Sequence, residues 1–112
     1  MAEEDLSPKA RQAIEDTLAA HDVVLYMKGT AVVPQADGGS ARMVDVLKQM
    51  GFDFHVVNVL AELEFRTGIK AFSGWPNIPQ LFHKGRFIGG YDTVAEMYQT
   101  GELQKLLLEG QR

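Results

Sequence analysis

From Gly74 to Asp92 the chain reads Gly-Trp-Pro-Asn-Ile-Pro-Gln-Leu-Phe-His-Lys-Gly-Arg-Phe-Ile-Gly-Gly-Tyr-Asp. Few stretches restrict a backbone so closely. Proline pushes the residue before it toward extended backbone, so Trp75 and Ile78, ahead of Pro76 and Pro79, read as extended. Leu81 and Phe82 begin a strand, and Lys84-Gly85 is a turn signal leading into Arg86-Phe87-Ile88, so the segment is a β-hairpin. Gly89 and Gly90 permit positive φ and close approach of another backbone or a ligand. Asp92 is expected to cap the helix that follows.

Upstream, helical and strand patterns alternate. Ser7-Pro8 is a helix start, because serine caps and proline suits the first helical position. Ala10, Ala13, Ile14, Thr17 and Leu18 recur at helical spacing, which predicts a helix from about Pro8 to Ala20. Val23-Val24-Leu25-Tyr26-Met27 is a continuous apolar run of strand length, suited to a buried central strand. Residues 31 to 40 read as a loop. Ser40 is expected to cap the next helix, with Met43, Val44, Leu47 and Met50 on its apolar face and Gly51 as its stop. A second strand is expected over Phe52 to Val59 and a helix over Glu62 to Phe72. Two short helices, Thr93 to Gln99 and Glu102 to Leu108, complete the chain.

The order of these elements fixes most of the topology. The first two strands are joined by a helical crossover and should run parallel. The last two form a hairpin and must be antiparallel. A mixed four-stranded sheet with helices on both faces accommodates every segment. This is an α/β, thioredoxin-like architecture. The 112 residues suffice for a single domain, with residues 1–6 expected as a flexible tail.

Composition excludes several classes of function. A net charge of −4 gives no reason to expect nucleic acid or an acidic membrane surface as partner. No apolar run approaches the roughly 20 residues that span a bilayer. The acidic start, Met-Ala-Glu-Glu-Asp, lacks the profile of a signal or transit peptide, so a cytoplasmic chain is expected. There is no cysteine. Disulfides, thiolate metal sites and cysteine nucleophiles are therefore excluded together. His21, His55 and His83 lie on different elements without partners at helical spacing, and read as surface or strand residues rather than as a metal site.

Taken together, the segments resemble the monothiol glutaredoxin family. The match is carried by Met27-Lys28-Gly29-Thr30, Pro34-Gln35, Ser40-Ala41-Arg42, Val57-Asn58-Val59-Leu60, Trp75-Pro76 and Ile78-Pro79-Gln80-Leu81. It continues through Lys84-Gly85, Phe87-Ile88-Gly89-Gly90, Asp92, Glu96-Met97-Tyr98 and Gly101-Glu102-Leu103. The departure falls on the defining motif. After Pro-Gln the family carries Cys-Gly-Phe-Ser. Here Ala36-Asp37-Gly38-Gly39 precedes Ser40, one residue longer and without a thiol. Tyr91 stands where many relatives carry a second cysteine.

The resemblance implies a groove for glutathione, a peptide with two carboxylates and one ammonium. Such a ligand needs cations at one end and a carboxylate at the other. By resemblance Lys28 and Arg66 receive its glycyl carboxylate. Lys70, four residues from Arg66 on the same helix face, is the weaker candidate, and an exposed basic stripe paired with Glu62 and Glu64 is the preferred reading for it. Ile78, before an expected cis Pro79, would pair its backbone with the ligand peptide. Gly90, Tyr91 and Asp92 would meet the γ-glutamyl end, and Asp92 can both cap a helix and face the ligand. Tyr91 adds bulk that either stacks over the ligand or obstructs it. Trp75 and Pro76 belong to the family's partner surface, and a core role for Trp75 is the plain alternative.

By resemblance the rebuilt loop, Ala36, Asp37, Gly38, Gly39 and Ser40, occupies the place of the family's active site. It could form an anion-binding nest or serve as a plain connection. Asp37 adds negative charge beside an anionic ligand, so weaker glutathione affinity is expected. Relatives bind a 2Fe–2S cluster with a protein thiolate and a glutathione thiol from each of two subunits. Neither the Ser40 hydroxyl nor the Asp37 carboxylate replaces that soft thiolate. Disulfide exchange likewise needs a thiolate. No catalytic residue, no cluster and a monomer are therefore expected. The leading reading is a thiol-free binding module for glutathione or for iron–sulfur partners, BolA-type proteins among them. The alternatives are an active redox enzyme or cluster carrier with unconventional ligands, and a structural partner whose groove is empty.

Overall fold

Ser7 opens the first helix. Its Oγ accepts a hydrogen bond from the Ala10 amide at 3.0 Å, and Pro8 follows at the first helical position. A computed structural model describes residues 6–30, 39–61 and 63–109. In chain order the elements are α1 (Pro8–Ala20), β1 (Val23–Met27), α2 (Ser40–Met50), β2 (His55–Asn58) and α3 (Leu63–Ser73). The hairpin strands β3 (Gln80–His83) and β4 (Arg86–Gly89) come next, then α4 (Tyr91–Thr100) and α5 (Glu102–Glu109). Among the described residues no helix is long and apolar enough to cross a membrane.

The strand order is β2-β1-β3-β4, with β1 parallel to β2 and antiparallel to β3. The hairpin turns on Lys84 and Gly85, at φ 50° and 82°. Positive φ at both central residues is what a tight turn needs to match strand twist. All five residues of β1 are buried. Their side chains alternate between two layers. Val24 and Tyr26, with Phe82 of β3, pack against Ile14 of α1 and Ile69 of α3. Val23, Leu25 and Met27, with Leu81, pack against Met43 and Leu47 of α2, Val94 of α4, and Leu103 and Leu107 of α5. The parallel and antiparallel pairings and the two helical layers are those expected. Burial pushes the Tyr26 phenol up to about 12, against a lowering hydrogen bond with Thr17.

Two local expectations are corrected. Leu6 is not part of a free tail: it is 7% exposed and joins Ala10, Ile14 and Ile69 in the core. The second strand is shorter than its apolar pattern, because only His55–Asn58 pair with β1. His21 is exposed and His55 opens β2, as expected, and the two stack on each other. Their rings stack at 4.0 Å between centroids with 2° between planes. The chain brings the end of α1 beside the start of β2, a contact that no helical spacing reveals.

His83 closes β3 at 7% exposure, and its Nε2 has no hydrogen-bond partner. Burial lowers its pKa, aided by Lys84 and opposed by Asp22. Burial also lowers the pKa of His55, with His21 adding to the effect. Both groups therefore bind protons less readily folded than unfolded. Their contribution to stability is complete above the unfolded value of about 6.5 and is lost as pH falls below it. The urea midpoint should fall between neutral pH and pH ~5.5. The fall should be smaller in His55→Phe, and a flat profile in wild type would contradict the assignment. Ile69, fully buried between α1 and the sheet, gives a second check. Ile69→Ala should cost about 2–5 kcal/mol in urea unfolding.

Candidate functional site

The carboxyl end of β1 meets the start of β3 and the start of α4 at an open groove of about 410 Å³. Ligands commonly sit beyond the carboxyl ends of strands in α/β sheets. Lys28, the first residue after β1, lines one part of it. Its position is fixed from two sides. The Lys28 amide donates to Ser40 Oγ at 3.2 Å, and the Gly29 amide donates to Asn58 Oδ1 at 2.9 Å. Asn58 Oδ1 also accepts from the Leu60 amide at 3.0 Å, so one side chain ties the ends of β1 and β2 together.

Lys70, from the last turn of α3, is the second cation on the groove. Arg66 does not line it. One helical turn separates the two, roughly 6 Å along the axis. Arg66 is the one expected first at the glycyl carboxylate, and Lys70 is the one that lines the groove. Ile78 and Pro79 line the wall, and their peptide bond is cis, as expected. Trp75, Pro76 and Asn77 extend that wall. Trp75 is 39% exposed, and its ring leans on Phe87 at 5.9 Å. A Cβ on Gly90 would lie 3.1 Å from Trp75 Nε1, so glycine is what lets the indole approach the start of α4.

Gly90 is the residue before α4 and takes the cap position, without a side-chain cap. Asp92 therefore is not the cap, contrary to expectation. It sits in the first turn, exposed, and lines the groove. There its charge interacts favourably with the helix dipole, by about 0.3–1 kcal/mol. Ser40 is corrected in the same way. Gly39, at φ 91°, holds the cap position of α2, and Ser40 is the first helical residue. The buried Ser40 hydroxyl serves Lys28 instead. Ala36, Asp37 and Gly38 lie outside the described residues.

Tyr91 crosses between the two helix starts. Its hydroxyl accepts from Arg42 Nη1 at 3.4 Å, a contact that raises the Arg42 pKa. The ring lies against Gly39, where a Cβ would come within 2.8 Å of Tyr91 Cβ and Cγ. Tyr91 thus packs on the loop side of the groove while also lining it. Asn77 and Thr93 line the groove too and were not singled out from sequence. Asn77 lies between the two prolines and Thr93 directly follows Asp92, and those placements were the available signals.

Two ammonium groups, one carboxylate, exposed backbone and the start of a helix thus share one groove. A glutaredoxin family model matches residues 23–88, which contain β1 through β4 apart from its last residue. A monothiol glutaredoxin of Synechocystis sp., ycf64-like, is 42% identical over 102 residues, 91% of this chain and 94% of the relative. The chain belongs to the monothiol glutaredoxin family. The solution structure of reduced apo GrxS14 from poplar is 39% identical and superposes with a TM-score of 0.80, covering 89% of this glutaredoxin and 91% of the poplar chain. A buckwheat glutaredoxin–glutathione complex shares the fold at a TM-score of 0.78 and 22% identity, covering 96% and 94% of the two chains.

A 2Fe–2S cluster on the family pattern takes a thiolate from the protein, and this glutaredoxin has no cysteine. The Ser40 hydroxyl, a hard oxygen, already accepts from Lys28. Among the described residues no three His, Asp or Glu side chains gather into a metal site. The donor set does not fit such a cluster.

The Gly39–Tyr91 contact can be measured. Gly39→Ala forces a left-handed backbone on alanine, about 1–2 kcal/mol, and adds the clash with Tyr91. In urea unfolding, Gly39→Ala should cost less in a Tyr91→Gly background, with a coupling on the order of 1 kcal/mol. Equal costs in both backgrounds would mean that the two residues do not press on each other.

Proposed function

We propose that this glutaredoxin is a thiol-free binding module that holds glutathione in the groove without reacting with it. The observation that carries the reading is the convergence of Lys28, Lys70 and Asp92 on one groove. Glutathione presents the complementary charges. Its glycyl carboxylate suits the two lysines, and its ammonium suits Asp92. The γ-glutamyl carboxylate suits the backbone amides at the start of α4. The backbone at Ile78 offers strand-like pairing to the ligand peptide. Arg66 has no place in this assignment.

Chemistry sets the outcome of binding. Thiol–disulfide exchange begins with attack by a thiolate, and the chain supplies none. The ligand therefore enters and leaves unchanged. A role in iron–sulfur trafficking would then pass through protein partners such as BolA-type or cluster-assembly proteins, for which the exposed face at Trp75 and Pro76 is the candidate surface. An active redox enzyme or cluster carrier using other ligands would show thiol-transfer turnover or a coloured protein.

A titration with reduced glutathione, followed by amide chemical shifts, tests the reading. Saturable shifts are expected at Lys28, Ile78 and Asp92. Lys28→Ala, Lys70→Ala and Asp92→Ala should each weaken binding by about tenfold, the scale of one hydrogen bond to a charged group. Arg66→Ala should leave it unchanged. Absence of saturable shifts up to millimolar glutathione would sink the proposal.

A further inference from the structure

The wall formed by residues 75 to 79 has little means of holding its own shape. Pro76 and Pro79 lack backbone N–H groups, so they cannot donate to a neighbouring carbonyl. The Trp75 amide is already engaged, donating to Ser73 Oγ at 3.0 Å. Gln80, the first residue of β3, lies directly behind this wall and is fully buried. Its Nε2 donates to the carbonyl of Trp75 at 3.0 Å and to that of Asn77 at 3.1 Å. One side-chain amide thus spends both hydrogens on two carbonyls of the groove wall. Its Oε1 is buried with no hydrogen-bond partner. Turning the amide over would set that oxygen against two carbonyl oxygens, so the acceptors fix its orientation.

An orphaned buried oxygen penalises folding. The next two positions of the strand, Leu81 and Phe82, are apolar and buried. An apolar residue at position 80 would fill the space without that penalty, so packing alone does not account for the amide. We propose that Gln80 is a positioning residue for the groove. It fixes the carbonyls of Trp75 and Asn77, and through them the wall that Ile78 and Pro79 present to the ligand. A glutamate could not replace it in the ionised state, because a carboxylate has no hydrogen to give. Methionine matches its length and leaves both carbonyls without their donor.

The test combines local and global readouts. Gln80→Met should retain cooperative unfolding, with a midpoint close to that of wild type, because relief of the orphan oxygen offsets the two hydrogen bonds lost. The NMR order parameters of the Asn77 and Ile78 amides should nevertheless fall, from about 0.85 toward about 0.6, while those of Leu81 and Phe82 stay at the rigid value. Glutathione binding should weaken by about tenfold, an arm that rests on the function proposed above. Unchanged order parameters at Asn77 and Ile78 would overturn the proposal, as would loosening spread evenly through β3. If wild type binds no glutathione, the functional reading falls and the order parameters still decide the role of Gln80. If Gln80→Met does not fold, the wild-type side chain decides it. The Gln80 amide hydrogens should exchange at least about tenfold more slowly than those of exposed Gln12, and equal rates would reject the assignment.

Discussion

Everything in this fold depends on burying β1 from both sides. Its five apolar residues have no solvent-facing side, so each layer of helices must supply a full apolar face. α1 and α3 do so on one side, and α2, α4 and α5 on the other. A strand enclosed in this way can change character only where it emerges. That point is Lys28, where Ser40 Oγ and Asn58 Oδ1 receive the first amides beyond the sheet. The groove is therefore a product of the core. Its cation stands at the place where the most buried strand reaches water.

The groove gathers charged side chains, and the chain has no thiol to set among them. Lys28 follows β1, and Lys70 and Asp92 belong to α3 and α4, elements held by the two apolar layers. Tyr91 and Gly39 show a local accommodation on the same side: a left-handed glycine gives the ring its space, and Arg42 takes its hydroxyl.

Much of this was legible in the sequence, and the misses have common causes. The hairpin was readable because Lys84-Gly85 between apolar strands admits few turns. The buried central strand was readable because a continuous apolar run of five has few other uses. Ser40 and Asp92 were misplaced at the helix starts because side-chain preference favours serine and aspartate as caps, whereas Gly39 and Gly90 take those positions through their backbone. Lys70 and Arg66 share a helix face, and only the direction of α3 across the sheet separates them. The His21–His55 stack joins residues 34 apart, by subtraction of their numbers, and no local pattern encodes it. Sequence spacing resolves turns, faces and element types. It does not resolve which end of an element points at a ligand.

Trp75 is the sole tryptophan of the chain. It stands on the groove, partly exposed, between Phe87 and Gly90. Its indole emission, excited apart from the tyrosines, is consequently a local signal from the groove. A ligand that dries the indole, or a partner that covers it, changes that emission, so the protein carries its own optical label on the groove wall.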